Sequence, residues 1–147
     1  MRRDSFNKYH ICFPKGINHC EDLLTWVQLC QHSEIKVAYL PKAFYHYYVN
    51  SNSITRHFTR FLYEMRLKYL AKLYEILSPK YESIKQQAAF DVFTEAIMFN
   101  VLSNNEVLAG LKRFQRQIYN INSLKWKLGF VFLRIGMNRL ASKLVHY

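Results

Sequence analysis

From Thr55 to the end of the chain, apolar residues recur at the spacing of one face of an α-helix, and this restricts the fold more than any other feature. Phe58, Phe61, Leu62, Met65, Tyr69, Leu73 and Ile76 form one stripe, which ends at Ser78-Pro79, where Pro suits the first turn of a new helix. Residues 79–102 carry Ile84, Ala88, Val92, Ala96 and Phe99 on one face. Ser103-Asn104-Asn105 ends that stretch and caps a helix over 106–119. A break at 120–123 precedes a basic final helix over 124–144. Half of the 147 residues are apolar, and only 4 Gly and 3 Pro interrupt them. That is enough for one core, and it excludes a disordered or linker-rich chain.

The first third reads differently. Asn18, three residues before Glu21, has the spacing of a capping box, and Leu23, Leu24, Val27 and Cys30 follow at helical spacing, which predicts a helix over 21–31. Residues 35–40 are apolar and partly β-branched, Pro41 interrupts, and 43–49 (AFYHYYV) is aromatic and extended in character. These predict two short strands around a Pro turn, followed by a polar loop at 50–53. A two-stranded ribbon is marginal alone, so the pattern implies partner strands elsewhere. The fold expected is mainly α with a short β-ribbon, divided into residues 1–54 and a helical extension of about four helices over 55–147.

Charge is unevenly distributed. The chain holds 21 Lys and Arg against 10 Asp and Glu, a net +11, and residues 107–147 contain no acid at all. Lys125, Lys127, Arg134, Arg139 and Lys143 stand there beside Leu124, Trp126, Leu128, Val131 and Ile135, the pattern of a basic amphipathic surface drawn to anionic headgroups. The apolar run 128–133 is closed by Arg134 and falls far short of the roughly 20 residues that span a bilayer. Three cysteines, Cys12, Cys20 and Cys30, cannot all pair within one chain, and no signal peptide precedes them. A cytoplasmic protein, peripheral on the inner membrane, is the expectation. Basic residues interleave with aromatics in this tail without any helix-turn-helix or RNA-binding aromatic motif, so nucleic acid is not expected as a partner. Cys12, His19, Cys20, Cys30 and His32 lack the close pairs of a zinc site.

The acidic pair Glu21-Asp22 in GINHCEDLL has two readings: first-turn acids of a helix, which the helix dipole favours, or a base that takes a proton from a hydroxyl nucleophile. The run RRDSFNKYHICFPKGINHCEDLLTWVQL, followed by KVAYLPKAFYHYYVNSNSIT, resembles the later part of the catalytic domain of bacterial family 2 glycosyltransferases. Shared features are a basic and an acidic residue opening a short helix, Phe13-Pro14 and Gly16 before the Glu-Asp pair, a Leu-Pro turn, and a Tyr-rich strand leading to Ser-Ile-Thr.

The resemblance covers residues 2–55 and implies the C-terminal part of an α/β, GT-A type domain followed by the helical extension. It implies an inverting enzyme that moves a sugar from a nucleotide-sugar donor to a glycan or lipid-linked acceptor in surface polysaccharide synthesis. Asp22 would be the general base and Glu21 its orienting neighbour. His46, Tyr48 and Ser53 would contact substrate, with His46 also a candidate metal or diphosphate ligand. Val49 stands where many members carry Arg. The family's divalent metal, Mg or Mn, is held by an upstream Asp-x-Asp, and here the only aspartates are Asp4, Asp22 and Asp91. The donor-binding half is therefore expected outside this chain, and no transfer is expected from these residues alone. The alternative is a non-catalytic basic helical module that binds a membrane surface or a partner protein.

Overall fold

The computed structural model describes residues 3–39, 41–42 and 58–146. Among them the chain is mainly helical: α1 (Arg3–Lys8), α2 (Glu21–Cys30), α3 (Arg60–Ile76), a 3-10 turn (Pro79–Tyr81), α4 (Glu82–Met98), α5 (Asn104–Arg113), α6 (Gln115–Tyr119), α7 (Leu124–Arg134) and α8 (Asn138–His146). The described part of the first expected strand, residues 35–39, forms no strand. Val37 and Tyr39 are 75% and 88% exposed, so the apolar, β-branched character that suggested a strand faces water, and no ladder partner lies beside it among the described residues. The second expected strand, 43–49, lies outside the described residues.

α4 is the central post. It packs against α3 on one side and α8 on the other, while α2 packs on α3, and α7 pairs with α8 and α5. Its buried residues are Lys85, Ala89, Phe90, Val92, Phe93, Ala96 and Ile97. This face is broader than the stripe expected from sequence and rotated from it, because neighbours cover two sides, and Ile84 and Phe99 at the ends stay exposed. Lys85 is tolerated there because its ammonium lies 5.3 Å from the Tyr74 ring centroid.

α5 crosses α4 at Gly110, where a Cβ would overlap the Phe93 ring. Phe93 in turn lies 5.3 Å, centroid to centroid, from Phe114, which separates α5 from α6. The single helix expected over 106–119 is thus two, hinged on a buried phenylalanine. The expected helix over 124–144 is likewise two. Gly136, at φ +79, ends α7 in a Schellman turn, with the Met137 N–H donating to Phe132 O at 2.9 Å and the Gly136 N–H to Leu133 O at 3.1 Å. Asn100, at φ 53, ends α4 in the same way, with the Val101 N–H reaching Ala96 O at 3.1 Å. After its turn α8 folds back on α7, with Val145 Cγ1 2.6 Å from where a Cβ on Gly129 would sit, and the Ser142 hydroxyl donates to Met98 O on α4 at 2.6 Å.

The start of α3 is tied to the start of α5. Thr59 caps α3 by accepting from the Leu62 N–H, and Ser103 and Glu106 form a reciprocal capping box on α5. The Arg60 guanidinium donates to Glu106 Oε2 at 2.7 Å and to Glu64 at 3.1 Å.

Gly110→Ala is expected to destabilise the fold by about 1–3 kcal/mol from overpacking against Phe93, outweighing the roughly 1 kcal/mol that Ala contributes in a helix; urea titration reads the difference. Arg60 holds the Glu106 carboxyl down, from an ordinary 4.5 to about 2. The folded chain therefore binds fewer protons than the unfolded one in this range, so the contribution is complete above pH 4.5 and is lost as pH falls toward about 2. Stability measured across that window should fall less steeply for Glu106→Gln, which keeps the cap and loses the charge.

Candidate functional site

α2 begins where the sequence places it, at Glu21, but not through Asn18. The residue before the helix is Cys20, held in the left-handed region at φ 59, and no side chain caps the helix. Left-handed backbone is unfavourable for a residue with a Cβ, so the surroundings must hold it there. Leu24 is fully buried in the core and its N–H donates to Cys20 O at 3.1 Å, while the Thr25 hydroxyl donates to Glu21 O at 2.8 Å within the helix. The turn at Cys20 leaves Glu21 half-buried and Asp22 exposed. Asp22 Oδ1 accepts from the Leu23 N–H at 2.8 Å, and the carboxylate makes no ion pair with any described residue.

Beneath this turn lies a pair that no spacing in the sequence announces. Arg66 on α3 and Glu95 on α4 form a two-pronged ion pair, at 2.8 and 3.2 Å, with both side chains largely covered. Burial, reinforced by the Arg66 charge, lowers the His19 pKa, and burial raises the Cys20 thiol. Tyr69 is also pushed up by burial. His19 Nε2 is buried without a hydrogen-bond partner among the described residues. The floor of the turn therefore favours neutral side chains around one ion pair, in which the Arg66 Nε is buried without a hydrogen-bond partner among the described residues, while Asp22 above it faces out. Position 66 flanks the stripe Leu62, Met65, Tyr69 and Leu73, so a half-covered Arg was readable there, but its partner 29 residues away was not.

Immediately beyond Asp22 an apolar groove of about 340 Å³ opens between α2, α3 and the start of α4, lined by Leu23, Val27, Cys30, Leu73, Leu77 and Ile84. A carboxylate one residue before an apolar groove can take a proton from a polar group whose apolar remainder lies in the groove.

His46, Tyr48 and Ser53 lie outside the described residues. Among the described residues no three His, Cys, Asp or Glu side chains converge, so the described residues by themselves form no divalent-metal site, and the sequence holds no Asp-x-Asp. The cysteines are free, Cys12 and Cys30 exposed and Cys20 half-buried. Lys125, Lys127 and Arg134 are exposed on α7, and Arg139 and Lys143 on α8. Trp126 turns toward the core instead, its ring centroid 5.6 Å from that of Phe130. Among the described residues no helix is long and apolar enough to cross a membrane.

Because Cys20 is half-buried and its thiol is pushed up, iodoacetamide should label Cys12 and Cys30 well before it, as mass spectrometry of tryptic peptides would show; equal rates would mean that the start of α2 does not dock on the core. No family model, no curated protein and no solved structure matches this chain.

Proposed function

We propose that the chain is the acceptor-side portion of a family 2 glycosyltransferase, with Asp22 as the base that receives the acceptor's proton. The observation that carries the reading is the exposed carboxylate of Asp22 on the first turn of α2, one residue before Leu23, which lines the apolar groove. The ordered likeness of residues 2–55 supports it, as does the short helix α1 with Asp4 in its first turn, ahead of the turn at Gly16.

In the reaction proposed, the acceptor hydroxyl oxygen attacks the anomeric carbon of a nucleotide-sugar. The new C–O bond forms as the bond to the nucleoside diphosphate breaks, and the hydroxyl proton passes to Asp22. Attack from the face opposite the leaving group inverts the anomeric centre. Glu21, one residue earlier and half-buried, positions the acceptor. The groove that begins at Leu23 suits an acceptor with an apolar part, which favours a lipid-linked glycan over a fully polar one. Donor and metal binding belong to a half of the enzyme carried outside these residues, and no step is assigned to the metal here.

A positioned general base contributes roughly 10²–10⁴-fold. In the enzyme containing this chain, with a labelled nucleotide-sugar and a lipid-linked acceptor, Asp22→Asn is expected to lower kcat by that order while KM for the donor stays within about twofold. Transfer by Asp22→Asn within a factor of about two of wild type would remove the assignment.

A further inference from the structure

The outer face of α7 is apolar although its inner face already has a partner. Trp126, Gly129, Phe130 and Leu133 face the core and α8, and this inner face accounts for the apolar residues that folding requires. Leu124, Leu128, Val131 and Ile135, spaced four, three and four apart, form a second stripe on the opposite side, 45–71% exposed. A helix on the surface of a domain ordinarily presents polar residues there.

Alongside this ridge is a cleft of about 880 Å³ between α6 and α7, lined by Gln115, Tyr119, Asn120, Asn122, Lys127 and Arg134, with Val131 common to cleft and ridge. Its polar lining consists of two cations, three amides and a phenol, and no carboxylate. Among the described residues none of Lys125, Lys127, Arg134, Arg139 and Lys143 is in an ion pair, because the four ion pairs all lie on α3, α4 and α5. Donors with unspent positive charge are the complement of a phosphate.

We propose that α7 docks on an anionic phospholipid membrane, with the phosphate of a lipid headgroup in the cleft between α6 and α7 and the ridge Leu124–Leu128–Val131–Ile135 seated in the acyl boundary. The two parts need each other. A phosphate cleft alone would serve any soluble phosphate, and an apolar ridge alone would serve any apolar partner, whereas a cation-lined cleft running along an apolar ridge matches the boundary between headgroup and chain. Lys125 on the other flank of the ridge, and Arg139 and Lys143 on α8, extend the positive field around it. The proposal is independent of the transfer reaction and of Asp22.

The test is co-sedimentation of the full chain with vesicles of phosphatidylcholine alone and with about one third phosphatidylglycerol, at low and high salt. Binding should be at least tenfold tighter to the anionic vesicles and should weaken with salt. Lys127→Gln with Arg134→Gln should weaken it roughly 30-fold, since each Lys or Arg near such a surface is worth roughly a factor of five. Val131→Ser with Ile135→Ser, both at exposed positions, should abolish the part of the binding that survives high salt, while circular dichroism and the melting temperature stay unchanged. Equal binding to both vesicle types overturns the proposal. So does undiminished binding by either double variant, or an oligonucleotide that displaces the chain from vesicles and binds the ridge variant as well as wild type.

Discussion

The Phe93 ring of α4 seats against Gly110 of α5, and this contact sets how α5 lies over α4. A Cβ at position 110 would overlap the edge of the Phe93 ring, so the ring can lie against α5 only because position 110 has no side chain. That ring is then flanked by Phe114, and Phe114 by Phe90, at centroid separations of 5.3 and 5.4 Å. Three phenylalanines on two elements fix where α5 ends and where α6 turns away. Because α5 also packs on α7, the crossing at Gly110 sets where α7 lies. The second glycine crossing, at Gly129, lets α8 close on α7.

Charge is segregated by the same architecture. Glu64, Glu75, Glu95 and Glu106 are all paired with Arg60, Arg66 and Lys72, two of the pairs within α3 and two tying α3 to α4 and α5. The exposed pairs contribute little to stability individually, and none of the described ion pairs involves a cation of the acid-free segment 107–147. Asp22 stands at the other chemical extreme: an exposed carboxylate above a floor that favours neutral His19, Cys20 and Tyr69.

Helix ends with a chemical signature were legible in the sequence, and helix ends set by packing were not. Ser78-Pro79 and Ser103 with Glu106 announce their boundaries because the missing N–H of Pro and the hydroxyl of Ser act within one turn. Phe114 breaks a helix without any local sign, because its reason is the rings of Phe90 and Phe93 more than twenty residues earlier. Gly136 did carry a sign, a glycine directly after the basic last turn of α7, which the continuous apolar period obscured. At the candidate site the position of Asp22 was readable from the onset of apolar spacing. The Arg66–Glu95 pair beneath it joins two helices and leaves no trace in either one's pattern.

The break at Gly136 changes what the basic tail means. A single helix over 124–144 would be about 30 Å long, and its apolar residues would all be needed for one core-facing stripe. Folding α8 back places Ala141 and Val145 in the core and closes the inner side of α7 against them. With that side complete, Leu124, Leu128, Val131 and Ile135 have no packing role left within the described chain, although each exposes apolar area that costs about 25 cal/mol per Å² to hold in water. An apolar stripe retained outside a finished core, beside cations without acids, is a surface shaped by something other than folding.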